Sequence, residues 1–228
     1  MQNEISKHCR GQIFVTPNRF IANIEINGKV EVCHVKNTGR LGELLVKGVR
    51  VIVQDCQSPM RKTRYDLIAV YKGDRLFNID SQAPNKVFGE WVKTSGYFGK
   101  LKSIKAEQKF QSSRFDFLLE TEERRIFVEV KGVTLEKGGV VLFPDAPTER
   151  GVKHIIELQR AVAEGFGAAI CFVVKLDGAK YFTPNKKTHP EFCEALKSAQ
   201  KSGVDILCVD CKVEPDSLEI KGFVPINL

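Results

Sequence analysis

Apolar and polar residues alternate with period two through much of the first eighty positions. Residues 19–26 read as a strand, Asn27-Gly28 as the tip of a tight hairpin, and residues 29–35 as the returning strand. Residues 49–53, 65–71 and 75–79 continue the pattern, with Lys72-Gly73-Asp74 separating the last two. Five short strands with no strong helix among them predict a small closed or partly closed barrel of the OB-fold kind. Ala83-Pro84-Asn85 then breaks the chain, and Val87, Phe88, Trp91 and Val92 recur at helical spacing. Beyond Gly96 and Gly99, Leu101 and Ile104 with Lys102, Lys105 and Lys109 predict a second, basic amphipathic helix, with Glu107 near its end.

From residue 111 strands and helices alternate. Residues 114–120 and 125–131 are predicted strands. Residues 146–164 are a predicted helix with Asp145 as N-cap and Pro147 in its first turn. Residues 168–174 form a continuous apolar run suited to a buried parallel strand. Residues 191–202 read as a helix closed by Gly203, and residues 204–209 as another buried strand. The fold class is therefore two-domain α+β. An OB-like barrel spans residues 1–82, and an α/β domain with a mixed sheet spans residues 83–228.

The turn Thr121-Glu122-Glu123-Arg124 fixes a register. If Glu122-Glu123 is a two-residue loop, Asp116 lies opposite Glu129 and Arg114 opposite Lys131. One face then carries Phe115, Phe117, Leu119, Ile126, Val128 and Val130 and must be core. The other carries Arg114, Asp116, Glu120, Arg125, Glu129 and Lys131, with Leu118 and Phe127 among them. Two carboxylates facing each other repel. A divalent cation, Mg²⁺ or Mn²⁺, would reconcile Asp116 with Glu129, helped by the carbonyl of Val130. Lys131, on the same face, can orient a water that attacks a phosphodiester. The plainer alternative is a polar outer face whose acids are neutralised by Arg114 or Lys131. On the following helix Arg150, His154 and Glu157 share one face. Arg150 suits a phosphate bidentately, Lys153 is a further candidate contact beside it, and His154 is either a proton-transfer group or structural.

Charge sharpens this picture. The chain carries a net +7, and residues 1–100 hold 16 Lys and Arg against 9 Asp and Glu, which accounts for all of it. A basic half joined to a neutral half predicts a module that binds a polyanion. The candidate contacts there are Arg40, in the loop Asn37-Thr38-Gly39-Arg40, and Arg61, Lys62 and Arg64, although a short charge run is commonly solvated surface. No apolar run reaches the roughly 18 residues of a membrane span, and no signal-peptide pattern opens the chain, so a cytoplasmic protein is expected. Seven scattered cysteines read as free thiols. Cys208 and Cys211 form a CxxC without the second half that a zinc site needs.

Three runs are familiar. They are Ser113 to Leu119, Phe127 to Leu135 with its Glu129-Val130-Lys131, and Phe143-Pro144-Asp145-Ala146-Pro147-Thr148-Glu149-Arg150-Gly151-Val152-Lys153-His154. Together they strongly resemble the sugar fermentation stimulation protein A family. His34 to Arg40 and Arg61 to Leu67 look like that family's N-terminal motifs. The resemblance covers nearly the whole chain. It implies an N-terminal OB-like domain, a C-terminal domain similar to PD-(D/E)XK nucleases, DNA binding with little sequence preference, and a role in regulating sugar (maltose) use. It leaves open whether nucleic acid is cleaved. Phe115 precedes Asp116 here, a departure from the Pro-Asp pair of such nucleases. The nuclease resemblance also points to an acidic residue on the helix before the hairpin, for which Glu107 is the candidate. The competing functions are a metal-dependent nuclease, a DNA-binding regulator that cleaves nothing, and an interaction module without nucleic acid.

Overall fold

The structure is a computed structural model of the 228-residue chain and describes residues 8–37, 39, 41–58 and 60–228. Strands β1 (His8–Asn18), β2 (Ile21–Ile26), β3 (Lys29–Val35), β4 (Arg50–Asp55) and β5 (Tyr65–Lys72) close into a five-stranded barrel. Closure comes from β1 pairing with both β2 and β4, and from β3 running parallel to β5. Ile13, Ile24, Val51, Val53 and Leu67 fill the interior. The β2–β3 hairpin turns at Asn27 (φ 52°) and Gly28 (φ 76°), the two positive-φ positions of the tight turn expected there. The first strand, β1, is not legible in the sequence, because Gly11 and Pro17 interrupt its alternation. Gly11 is there for close approach: a Cβ would lie 2.6 Å from Ile24 Cγ2 on the neighbouring strand. A sixth strand, β6 (Arg75–Asn78), extends the barrel sheet beyond β5.

Helix α1 (Ala83–Thr94) follows, at the expected place. The predicted basic helix does not. Its residues form β7 (Leu101–Phe110), an edge strand paired only to β8 (Ser113–Thr121). An edge strand has one neighbour and solvent beyond it, so Lys102, Lys105 and Lys109 are tolerated and blunt the edge. The order continues with β9 (Arg125–Val133), β10 (Leu135–Lys137), β11 (Val140–Phe143), α2 (Glu149–Ala163), β12 (Gly167–Val174), β13 (Tyr181–Pro184), α3 (Pro190–Lys201), β14 (Asp205–Val213) and β15 (Leu218–Phe223). Helix α2 starts later than expected. Thr148, not Asp145, is its N-cap, with its hydroxyl accepting from the Gly151 N–H.

The main sheet runs β15-β14-β12-β9-β8-β7 and is mixed. Strands β9, β12 and β14 are parallel, and the flanking pairs are antiparallel. Strand β12 is buried at every residue, as its unbroken apolar run requires. Helix α1 covers one face through Val87, Phe88 and Val92, and α2 and α3 cover the other through Ile155, Leu158 and Leu196. Strands β10, β11 and β13 make a separate small sheet. All seven cysteines are free thiols, and burial pushes the Cys211 thiol up to about 12. No helix among the described residues is long and apolar enough to cross a membrane.

The two halves are joined by polar contacts with little exposure. Glu136 of β10 is 5% exposed and receives Lys72 Nζ at 2.8 Å and Arg75 Nη1 at 3.2 Å from the barrel sheet. The Asn78 N–H donates to the Lys175 carbonyl at 3.0 Å, and beside it, within the first half, Asp80 accepts Lys36 Nζ at 2.8 Å. Close packing continues at Gly132, at the end of β9. A Cβ there would lie 2.7 Å from Pro84 Cγ and 3.4 Å from Lys175 Cε. The proline ring cannot swing aside, so Gly132→Ala is expected to destabilise the protein by roughly 1–3 kcal/mol, the usual cost of overpacking. A denaturant midpoint equal to that of the wild type would show that the packing around Gly132 has slack.

Candidate functional site

The β8–β9 hairpin has the register read from its turn. Glu120 pairs with Arg125, Leu119 with Ile126, Leu118 with Phe127 and Phe117 with Val128. The ladder ends there, one position short of Asp116 and Glu129, so these two are not a directly paired couple. The Val130 N–H instead donates to Asp116 Oδ2 at 2.7 Å. Strand β8 turns at this point. Alternation puts Phe115 beside Phe117, but it packs with Phe110 and Phe127 and meets the His154 ring at 6.0 Å. Phe117 faces the other way, onto Phe88 of α1. On β7, Glu107 has φ 55° and likewise interrupts the pairing with β8.

Asp116 and Glu129 therefore have different shells. Asp116 Oδ1 accepts from Asn85 Nδ2 of α1 at 2.7 Å. Burial first, and the Glu129 charge second, push its carboxyl above the ordinary range. Glu129 is 3% exposed. Its Oε1 takes the His154 Nδ1 proton at 2.6 Å and is ion-paired to Lys131 Nζ. Burial alone would raise the Glu129 carboxyl, but His154 and Lys131 outweigh it and the net direction is down. Its Oε2 is buried without a hydrogen-bond partner, one of three such side-chain atoms among the described residues, the others on Ser113 and Glu157. Arg150 Nε donates to His154 Nε2 at 3.3 Å. That bond assigns the His154 proton to Nδ1, where it is given to Glu129. Helical spacing places Arg150, His154 and Glu157 on one face. What it cannot show is that this face meets Glu129 across the sheet. Asn85 carries no sequence signal.

The remaining sequence candidates lie elsewhere. Glu107, expected on a helix as a further acid, sits on the exposed edge strand with Arg114 Nη1 at 3.8 Å. The hairpin therefore brings together two carboxylates rather than three. Among the described residues no group of three or more His, Cys, Asp and Glu is placed to hold a metal. Arg61 and Arg64 are less available than their run implies. Arg61 pairs with Asp66, and Arg64 pairs with Asp55 through both Nε and Nη2, the two acids being buried in the barrel wall. Lys62 is exposed. Lys153, also exposed, donates to the Ser112 carbonyl at 3.1 Å. Arg40 lies outside the described residues.

Known proteins place this architecture. Residues 16–79 match the family described as the SfsA N-terminal OB domain, and residues 82–217 match the sugar fermentation stimulation protein RE domain. A sugar fermentation stimulation protein homolog of Desulfitobacterium hafniense is 58% identical over 218 residues, 96% of this chain and 95% of the relative. One from Ruminiclostridium cellulolyticum is 51% identical over 219 residues, 96% and 97% of the two chains. The solved structure of Pyrococcus furiosus SfsA in complex with Ca²⁺ superposes with a TM-score of 0.86 at 29% identity, covering 99% of this chain and 98% of that one. The chain belongs to the sugar fermentation stimulation protein family.

Proposed function

We propose that this protein binds nucleic acid, DNA foremost, and that the β8–β9 hairpin is a divalent-cation centre for cleaving phosphodiesters. The observation that carries the reading is the Glu129 carboxylate. One oxygen is fixed by His154 and Lys131, the other is buried and unpartnered, and the charge of Asp116 lies close by. A buried oxygen left without a donor calls for a ligand, and a hard cation is the ligand that two carboxylates suit. Asp116, Glu129 Oε2 and the Val130 carbonyl would hold Mg²⁺ or Mn²⁺ through oxygen alone, as hard cations prefer. Mg²⁺ is commonly held by one or two carboxylates, with water and substrate phosphate completing its shell. When bound, the cation supplies Lewis-acid polarisation of the phosphoryl group. The Pyrococcus furiosus relative, solved with Ca²⁺, offers a precedent for a hard cation in the family.

The chain's own residues divide the other tasks. Asn85 and the Val130 N–H orient Asp116. His154, itself oriented by Arg150, holds Glu129 in one rotamer. Lys131, ion-paired to Glu129, would orient water at the scissile phosphate once a cation shares the Glu129 charge. The barrel supplies sequence-independent attraction through its positive surplus. A second reading, DNA binding without cleavage, is favoured by one observation: Glu107 does not join the carboxylates. A link to the regulation of sugar metabolism belongs to this proposal under either reading, the relatives being named for the stimulation of sugar fermentation.

A panel of DNA and RNA substrates incubated with Mg²⁺, Mn²⁺ or EDTA tests cleavage. Products that appear with the cation and vanish with EDTA are expected, and intact substrates throughout would leave the binding reading alone. Salt dependence tests the contacts. With Arg61 and Arg64 committed to buried acids, Lys62→Ala alone is expected to flatten the log-affinity against log-salt slope by about 0.9, the value of one phosphate contact. An unchanged slope would assign Lys62 to solvent.

A further inference from the structure

A second feature lies apart from the carboxylates. A cleft of about 450 Å³ opens where the barrel meets the α/β domain, within the roughly 300–1,000 Å³ of small-ligand sites. Its walls come from both halves: Arg19, Asn37 and Gly39 on one side, and Gly132, Thr148 and Lys175 on the other. The opposing loops approach closely, since a Cβ on Gly39 would lie 2.8 Å from Asp145 Oδ2.

Lys175 is the anomaly. It is 2% exposed, directly after the fully buried strand β12. A buried ammonium is normally matched by a carboxylate. Here the acceptor of Lys175 Nζ among the described residues is a neutral group, the Asp80 carbonyl at 3.1 Å. The Asp80 carboxylate is already engaged with Lys36 at 2.8 Å. Two of the three ammonium protons thus have no acceptor among the described residues. Burial accordingly pushes the Lys175 amine down to about 8, against the nearby charges of Asp80 and Asp145. Gly132 leaves room for this side chain, whose Cε would lie 3.4 Å from a Cβ there. The same cleft takes in Pro147 and Thr148, which lead directly into the 15-residue helix α2, whose N-terminal end carries partial positive charge. Arg19 adds a cation at the rim, its guanidinium 4.6 Å from the Phe20 ring.

We propose that this interdomain cleft binds a phosphoryl group, with the Lys175 ammonium as its buried cation and the N-terminal end of α2 and Arg19 as supporting positive charge. The phosphoryl group has two chemical sources. One is a backbone phosphate of a strand that also reaches the hairpin, and the other is a free phosphomonoester. The site needs neither Asp116 nor Glu129, so it stands or falls separately from the cation centre.

The test is calorimetric titration of the full chain as wild type and as Lys175→Met. The probes are inorganic phosphate, a nucleoside 5′-monophosphate and an oligothymidylate without a terminal phosphate. At least one probe is expected to bind Lys175→Met about ten- to a hundredfold more weakly than wild type, the loss of one or two charged hydrogen bonds. A loss confined to phosphate and the monophosphate identifies a free phosphomonoester, and a loss confined to the oligonucleotide identifies a strand phosphate. Equal affinities for all three probes in wild type and Lys175→Met, or no binding of any probe, would overturn the proposal. If Lys175→Met fails to fold, the Lys175 Cε resonance of the wild type decides. It shifts on addition of a probe if the cleft is occupied, and its invariance to all three refutes the site.

Discussion

Asp116→Asn combined with Glu129→Gln is expected to give a folded protein that binds no Mn²⁺ and has lost phosphodiester cleavage by about three orders of magnitude or more. The size follows from the several kcal/mol of charge stabilisation a catalytic cation supplies, at roughly tenfold per 1.4 kcal/mol. The fold is expected to survive because the hydrogen bonds that the two carboxylates now accept can be kept by the amides. The amide oxygen introduced at position 116 can keep the Val130 N–H, and the amide nitrogen can donate to Asn85 once that side chain flips. The amide introduced at position 129 can still accept from His154 and Lys131 through its one oxygen.

Stability is pulled both ways. Asp116 has a raised carboxyl, so its charge costs stability above the unfolded-state pKa, and the amide removes that cost. Glu129 has a lowered carboxyl, so its charge contributes stability above the unfolded-state pKa, and the amide forfeits it. The melting temperature of the metal-free double variant is therefore expected close to that of the wild type. Lys131→Ala is the companion. It should lose cleavage and keep much of the Mn²⁺ affinity, because the ammonium is not a metal ligand. Titration with Mn²⁺ separates the cases. Wild-type affinity in the double variant would remove these carboxylates from the centre, and a wild type that binds no Mn²⁺ with or without DNA would hand the protein to the binding-only reading.

Phe88→Ala is expected to cost about 3–5 kcal/mol of stability, the range for deleting a buried phenyl ring. Phe88 is fully buried where α1 lies on the sheet, with ring centroids 5.2 Å from Phe117, 5.8 Å from Trp91 and 6.5 Å from Phe98. The effect should reach the hairpin, because the same helix carries Asn85, whose amide fixes Asp116. Trp91 is the sole tryptophan of the chain, so its fluorescence reports this contact directly. A lower denaturant midpoint with an unchanged slope is the expected result. A midpoint within about 0.5 kcal/mol of wild type would mean that α1 is held chiefly by something else.

The hairpin is the most legible part of the chain. A two-residue loop and period-two alternation are local, and they set the pairing from Phe117 to Glu120 without tertiary information. The end of that pairing is not local. Phe115 leaves the expected face because Phe127 and His154 of α2 are there to pack against, and nothing near Phe115 in sequence records that. The helix expected over residues 101–109 fails for a related reason. Leu101, Ile104 and the lysines satisfy helical spacing, and an edge strand with one neighbour has too few buried positions to assert period two. Partners supplied by other elements, Asn85 for Asp116 and His154 for Glu129, leave no trace in the spacing of either acid. The same holds for Arg61 and Arg64. Their run reads as free charge, and only the closed barrel shows the buried Asp66 and Asp55 that hold them.

The joint between the halves has a mechanical consequence. Lys72 and Arg75 grip Glu136 from one half, and backbone bonds at Asn78 and Lys175 tie the barrel to the end of the central strands. A linker with such cross-ties does not pivot freely, so under the proposed function the barrel and the hairpin would act as the two jaws of a fixed calliper. Whatever polymer lies along both must span a set distance. A fragment shorter than that span can occupy one jaw and leave the other empty, and its affinity should then lack the gain of simultaneous engagement. Under the proposed function, length of ligand rather than its sequence is then expected to set affinity.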